Sequence, residues 1–166
     1  MGWEWRIFIP LASDDEHHVP FTINAEKRLD VYYVESEKIG VKKRNGVGDY
    51  EVKTMHDSTH YGAEKYIKHI VPEQMGHKYN SYPTVQVHKE RQKQIHYSKH
   101  DSIIFEISFI CAKDRWWKSM CWEGSPSVIY VEVQKYFELM DGWTKSSINL
   151  PNGSIICGYP QWITII

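Results

Sequence analysis

Nine charged side chains carry the chemistry legible in this chain, because each sits in a short run where polar and apolar residues alternate. In Trp3-Glu4-Trp5-Arg6-Ile7, Glu4 and Arg6 share one face and the tryptophans and Ile7 the other. Lys42 and Arg44 share a face between Gly40 and Arg44, and Lys53 stands two residues after Glu51. Lys89 and Arg91 share a face at the end of Val85 to Arg91. Glu106 and Ser108 oppose Phe105, Ile107 and Phe109, and Glu132 opposes Val131 and Val133. Six bases beside three carboxylates suit a polyphosphate. Arg6, Arg44 and Arg91 offer bidentate contacts to phosphate oxygens, and Lys42, Lys53 and Lys89 offer point charges. Glu4, Glu106 and Glu132 are hard oxygen ligands of the kind that hold Mg²⁺ or Mn²⁺. Phosphoryl transfer rests mainly on such positioning and charge neutralisation, with the metal orienting and activating the attacking water.

These side chains act together only if strands aim them at one place. A strand sends successive side chains to opposite faces, so each run carries one charged and one apolar face. Strands are predicted at Trp3 to Ile9, Arg28 to Val34, Gly40 to Arg44, Tyr50 to Thr54, Val85 to Ile95, Ile103 to Ala112 and Val128 to Gln134. Phe21 to Asn24 adds a short strand, and Trp116 to Glu123 a strand or turn. Asn45-Gly46 marks a hairpin between the Gly40 and Tyr50 strands. Ala63, Tyr66, Ile67 and Ile70 recur at helical spacing, so a helix is predicted over Tyr61 to Ile70, capped by Ser58 or Thr59 and ended by Pro72. Lys135 to Met140 suggests another. Ser13 to His18 reads as an acidic loop, and Gly158 to Trp162 as a tail packed across the barrel. The expected fold is α+β and mostly antiparallel β, a closed or nearly closed eight-stranded barrel with a few helices. A closed barrel with charged faces inward makes a lumen for an anion. An open sheet leaves the same faces in water. Its apolar faces then need a cover, from helices, a second copy or a protein partner.

An acid-plus-base first strand is followed by Arg28-x-Asp30-x-Tyr32, a basic strand, a hairpin partner ending in Lys53, Lys89-x-Arg91, and two strands with single glutamates. This order resembles the CYTH superfamily, the triphosphate tunnel metalloenzymes. The resemblance implies an eight-stranded antiparallel barrel whose arginines and lysines bind triphosphate and whose glutamates hold Mg²⁺ or Mn²⁺. It implies hydrolysis of inorganic or thiamine triphosphate, removal of RNA 5′-triphosphate, or adenylate cyclase activity. Glu4 and Arg6 fall on the family's Glu-x-Glu-x-Lys motif, with Gly2 in place of its first glutamate. Lys42 and Arg44 fall on Arg-x-Arg, and Lys53 on the lysine of Thr-x-Lys, with Glu51 for threonine. Lys89 and Arg91 match the mid-chain basic strand, and Glu106 and Glu132 stand singly where the family pairs its glutamates. The resemblance spans residue 3 to about 134. It implies a divergent metal-dependent phosphohydrolase acting on a small triphosphorylated molecule. The alternatives are a non-catalytic anion- or nucleotide-binding barrel and an interaction domain with a docking face.

Composition narrows the partners. At 166 residues one domain, 1–166, is expected. A net charge of -1 gives no overall pull toward nucleic acid or a membrane surface, so any basic site is a local concentration. No run approaches the ~20 apolar residues of a membrane helix. Charge at the fourth residue argues against a secretory signal. Cys111, Cys121 and Cys157 are odd in number and lack CxxC spacing, which suits reduced thiols in a cytoplasmic protein. His56, His60 and His69, like His17-His18, read as surface or capping residues rather than a metal cluster. Trp116, Trp117 and Trp122 read as core or barrel-plug packing rather than base-stacking platforms.

Overall fold

A computed structural model of the chain describes residues 2–12, 25–97 and 101–166. The predicted loop at Ser13 to His18, with His17-His18, and the predicted strand at Phe21 to Asn24 lie outside the described residues. Eight strands form the barrel: β1 (Trp3–Pro10), β2 (Glu26–Val34), β3 (Ile39–Arg44), β4 (Tyr50–Ser58), β5 (Glu64–Val71), β6 (Thr84–Tyr97), β7 (Ser102–Ala112) and β8 (Arg115–Gly124). The sheet runs β5-β4-β3-β2-β6-β7-β8-β1, and β1 returns to β5 to close it. All pairings are antiparallel.

Turn chemistry fixes the hairpins. Asn45 and Gly46 both take positive φ, 58° and 71°, as the tight turn between β3 and β4 requires. Lys113 and Asp114 do the same between β7 and β8, where Ala112 faces Arg115. The β1–β8 ladder spans Trp3 to Pro10. On its other edge β1 meets β5 only at Trp3 and Glu4, and then a short ninth strand, β9 (Ile155–Ile156), at Ile7 and Phe8.

Two α-helices lie among the described residues: α1 (Pro126–Phe137) and α2 (Tyr159–Ile165). α1 covers the outward faces of β1, β7 and β8. Its Ile129 and Val133 are fully buried against Trp5, Ile7, Met120 and Trp122, with Trp143 and Ile148 completing the cover. α2 fills one end of the lumen. Trp162 stacks on Phe8 with centroids 4.7 Å apart, Trp117 meets it edge-on, and Tyr159 stacks on Tyr32. A third cluster, Val41, Tyr50, Val52 and Tyr79, lies on the outward side of β3 and β4, under the 3₁₀ turns that follow β5. The chain thus covers much of its own apolar surface.

Two expected elements are corrected. Tyr61 to Ile70 is not a helix. Thr59 Oγ1 accepts the Ala63 N–H at 3.0 Å in a tight turn, and Glu64 onward pairs with β4 from Ser58 back to Tyr50. The helical spacing of Ala63, Tyr66, Ile67 and Ile70 does not mark a buried face, since Ile67 and Ile70 are 48% and 58% exposed. The strand wins because β4 and β1 both offer unpaired edges that only a strand can satisfy. Val128 to Gln134 is not a strand. Pro126 opens α1 at its first turn, and the buried pair Ile129 and Val133 are four residues apart on one helix face. Glu132 therefore sits on a helix outside the barrel, where it pairs with Lys135 at 3.7 Å.

Candidate functional site

Alternation places the polar faces of the strands in the lumen. They line a cavity of about 210 Å³, floored by Tyr159 and Pro160 of α2. Among the described residues its wall carries eight bases: Arg6, Arg28, Lys42, Lys53, Lys68, Lys89, Arg91 and Lys93. Four carboxylates face them: Glu4, Glu51, Glu106 and Glu123. The balance is positive even after the buried Asp30, which lies beneath the wall, is counted.

Asp30 organises the deepest bases. It is 0% exposed, and its Oδ2 accepts the Lys89 Nζ at 2.7 Å and the Lys42 Nζ at 3.3 Å. Arg28 Nε stands 3.8 Å from its Oδ1. Burial works against the Asp30 charge, but Lys89 and Lys42 together hold its carboxyl below the usual range. Lys89 also donates to Tyr32 Oη at 2.8 Å and lies 3.9 Å above the Tyr159 ring. Burial pushes its ammonium down to about 7, with Lys42 adding to the drop and Asp30 opposing it.

Arg6 links two parts of the wall. Its Nη1 donates to Ser119 Oγ at 2.8 Å and to Glu106 Oε1 at 3.3 Å, while the guanidinium lies 4.5 Å from the Tyr159 centroid. Glu106 also accepts from Ser108 Oγ at 3.0 Å and faces Arg91 and Lys93 at 3.7 and 3.9 Å. Burial pushes this carboxyl up, but Arg6, Arg91 and Lys93 outweigh it and bring it to about 2. Glu4 is paired with Lys53, whose Nζ lies 4.2 Å from the Tyr66 centroid. Here too burial opposes the charge, and Lys53 and Arg6 hold the carboxyl below its ordinary range.

Seven of the nine sequence-predicted residues converge on the cavity: Glu4, Arg6, Lys42, Lys53, Lys89, Arg91 and Glu106. Arg44 shares the face of Lys42 but ends β3 exposed to solvent, outside the lining. Glu132 is not brought to the site. The sequence pattern includes Arg28 and Asp30 only as part of the Arg28-x-Asp30-x-Tyr32 order, without a site role, and it does not single out Lys68, Lys93, Glu123 or Tyr159 as site residues. Strand parity would find most of them. Even-numbered residues of β1, β2, β3, β5 and β7 and odd-numbered residues of β4, β6 and β8 supply the charged wall.

The donor set does not fit a divalent cation as it stands. Among the described residues, no three His, Cys, Asp or Glu side chains gather as a ligand set. Glu123, Glu4 and Glu64 lie abreast across β8, β1 and β5. Yet Glu4 is held by Lys53, and Glu64 accepts the Gly158 N–H at 2.8 Å. Cys111, Cys121 and Cys157 are free thiols, and burial raises all three, Cys157 to about 12.

Fold and cavity define a class: a closed antiparallel barrel with a basic lumen stopped at one end by a helix. No family model and no curated protein matches the chain. Among solved structures it is similar to the crystal structure of a "putative adenylate cyclase" from Bacillus halodurans. That likeness covers 92% of this chain and 97% of the other at 10% identity, with a TM-score of 0.42, too low to bear on function. No helix here is long and apolar enough to cross a membrane, among the described residues.

Proposed function

We propose that this chain is a CYTH-like barrel that binds a compact phosphorylated anion, such as tripolyphosphate, in its lumen. The observation that carries this reading is the convergence of eight bases on one cavity. Ordinary solvent-facing charges would not meet in this way. The volume of about 210 Å³ lies below the roughly 300–1,000 Å³ of sites that engulf drug-sized ligands. It suits a chain of phosphates better than a whole nucleotide. Buried guanidinium and ammonium groups are strong phosphate donors because they lose little energy to solvent screening.

A metal-dependent triphosphatase is the second reading. Glu4 and Glu106 face the cavity beside Arg6, which supports it. Their ion pairs favour binding over turnover, because carboxylates committed to internal bases are not available to a metal. Melting curves with tripolyphosphate test the first reading. Ligand at a hundred times its Kd adds about 2.7 kcal/mol, a rise of about 5–10 °C for a domain of this size. Phosphate release with Mg²⁺ or Mn²⁺ would favour the second reading. No rise with any phosphate would return the charged faces to a structural role.

A further inference from the structure

We infer that the Lys53 ammonium stands in for a divalent cation at Glu4, so that the lumen takes the metal-free phosphate anion and magnesium opposes binding. The inference rests on the anion-binding reading of the same cavity.

Glu4 is the carboxylate to which the first-strand resemblance would assign a metal, and it is buried. Its partner reaches it from β4, across the ring of Tyr66 on β5. The carboxylate and the π face fix the ammonium from two sides. Glu106, the other buried acidic candidate on a strand, is treated in the same way by Arg6 and Ser108. A divalent ion entering at Glu4 would have to displace Lys53 even though Glu123 and Glu64 lie abreast of it, and across the lumen as a whole it would meet eight bases against four carboxylates. A bare phosphate meets the same bases as counter-ions. In solution Mg²⁺ complexes polyphosphate and neutralises part of the charge that the lumen attracts, so it withdraws ligand instead of bridging it.

The test is calorimetric titration of the wild-type chain with tripolyphosphate, in chelator and then in excess Mg²⁺, with Mn²⁺ binding followed separately by electron paramagnetic resonance without phosphate. The expected result is at least a tenfold loss of affinity in Mg²⁺ and no Mn²⁺ retained by wild type. Lys53→Met keeps an aliphatic chain against Tyr66 and frees Glu4, so it should gain Mn²⁺ binding. Affinity that is unchanged or strengthened by Mg²⁺, or Mn²⁺ retained by wild type, overturns the inference. Absence of tripolyphosphate binding in both conditions defeats the anion-binding reading instead. The Mn²⁺ arm then still decides the role of Lys53 without any phosphate present.

Discussion

Glu106 and Lys89 give the lumen opposite responses to pH. Glu106 has a folded-state value of about 2 against an ordinary 4.5. Its ion pairs thus stabilise the fold fully above about 4.5, and that contribution disappears as pH falls toward 2. Glu106→Gln should flatten the acid limb of stability between those values, as measured by denaturant titration at a series of pH. Lys89 is depressed to about 7 from 10.5, so its protonation in the fold carries a cost that grows as pH falls from 10.5 to 7. A bound anion reverses that cost by favouring the ammonium. Tripolyphosphate affinity should then be highest below pH 7 and decline above it. Heats of binding near pH 8 should vary with buffer ionisation enthalpy, because Lys89 takes up a proton. At this scale the sequence was legible wherever alternation was long. Glu4 with Arg6 and Lys89 with Arg91 reach the lumen because their strands continue in both directions. Glu132 does not, because Val131-Glu132-Val133 is too short a run to separate a period of two from a spacing of four. The exposures decide it: Val131 is 44% exposed, while Ile129 and Val133 are fully buried. Asp30 was illegible in role, since nothing local shows that Lys89, 59 residues away, will share its oxygen.

Elements set the depth and shape of the cavity. α2 is a short helix, and its seven residues are held mainly by tertiary packing. Removing the Trp162 ring takes away the stack on Phe8 and the edge contact from Trp117. Trp162→Ala should cost about 3–5 kcal/mol, the usual range for deleting a buried aromatic, and should weaken anion binding by loosening the floor under Tyr159. Thermal unfolding and titration of the same variant check both effects. Gly158, just before α2, is required for another reason. A Cβ there would lie 2.2 Å from Tyr66 Oη and 3.0 Å from its ring carbon, while the Gly158 N–H is held by Glu64. Gly158→Ala should lower the melting midpoint through displacement of Tyr66, and Tyr66→Phe in the same chain should restore part of it. Most strand positions were readable from sequence, and the hairpin at Asn45-Gly46 was too. β5 was not, because its apolar residues mimic a helical spacing while its identity depends on two distant edges. α2 was not, because Gly158-Tyr159-Pro160 carries turn signals that also suit a helix start.

The whole molecule concentrates positive charge internally while its net charge is only -1. Binding should therefore depend on access to the lumen rather than on general attraction to polyanions. Affinity for tripolyphosphate should fall as salt rises, because the screening length shrinks from about 10 Å at 0.1 M to about 3 Å at 1 M. The dependence should be gentler than for a surface site, since the deepest bases, Arg6 and Lys89, are buried, although Lys68 and Lys93 at the rim are exposed. Closure is the property on which this depends, and alternation alone did not determine it. An open sheet predicts the same charged faces. Only the return of β1 to β5 at Trp3 and Glu4, reinforced by the Tyr66 N–H to Gly2 carbonyl bond at 2.7 Å, turns those faces into a cavity. The most direct measurement is calorimetric titration of tripolyphosphate, in chelator at neutral pH, into wild type and Lys42→Ala/Arg91→Ala. One site per chain, weakened at least tenfold in the double variant, is the predicted result. No binding to wild type, or equal binding to both proteins, would contradict a basic lumen built to hold phosphate.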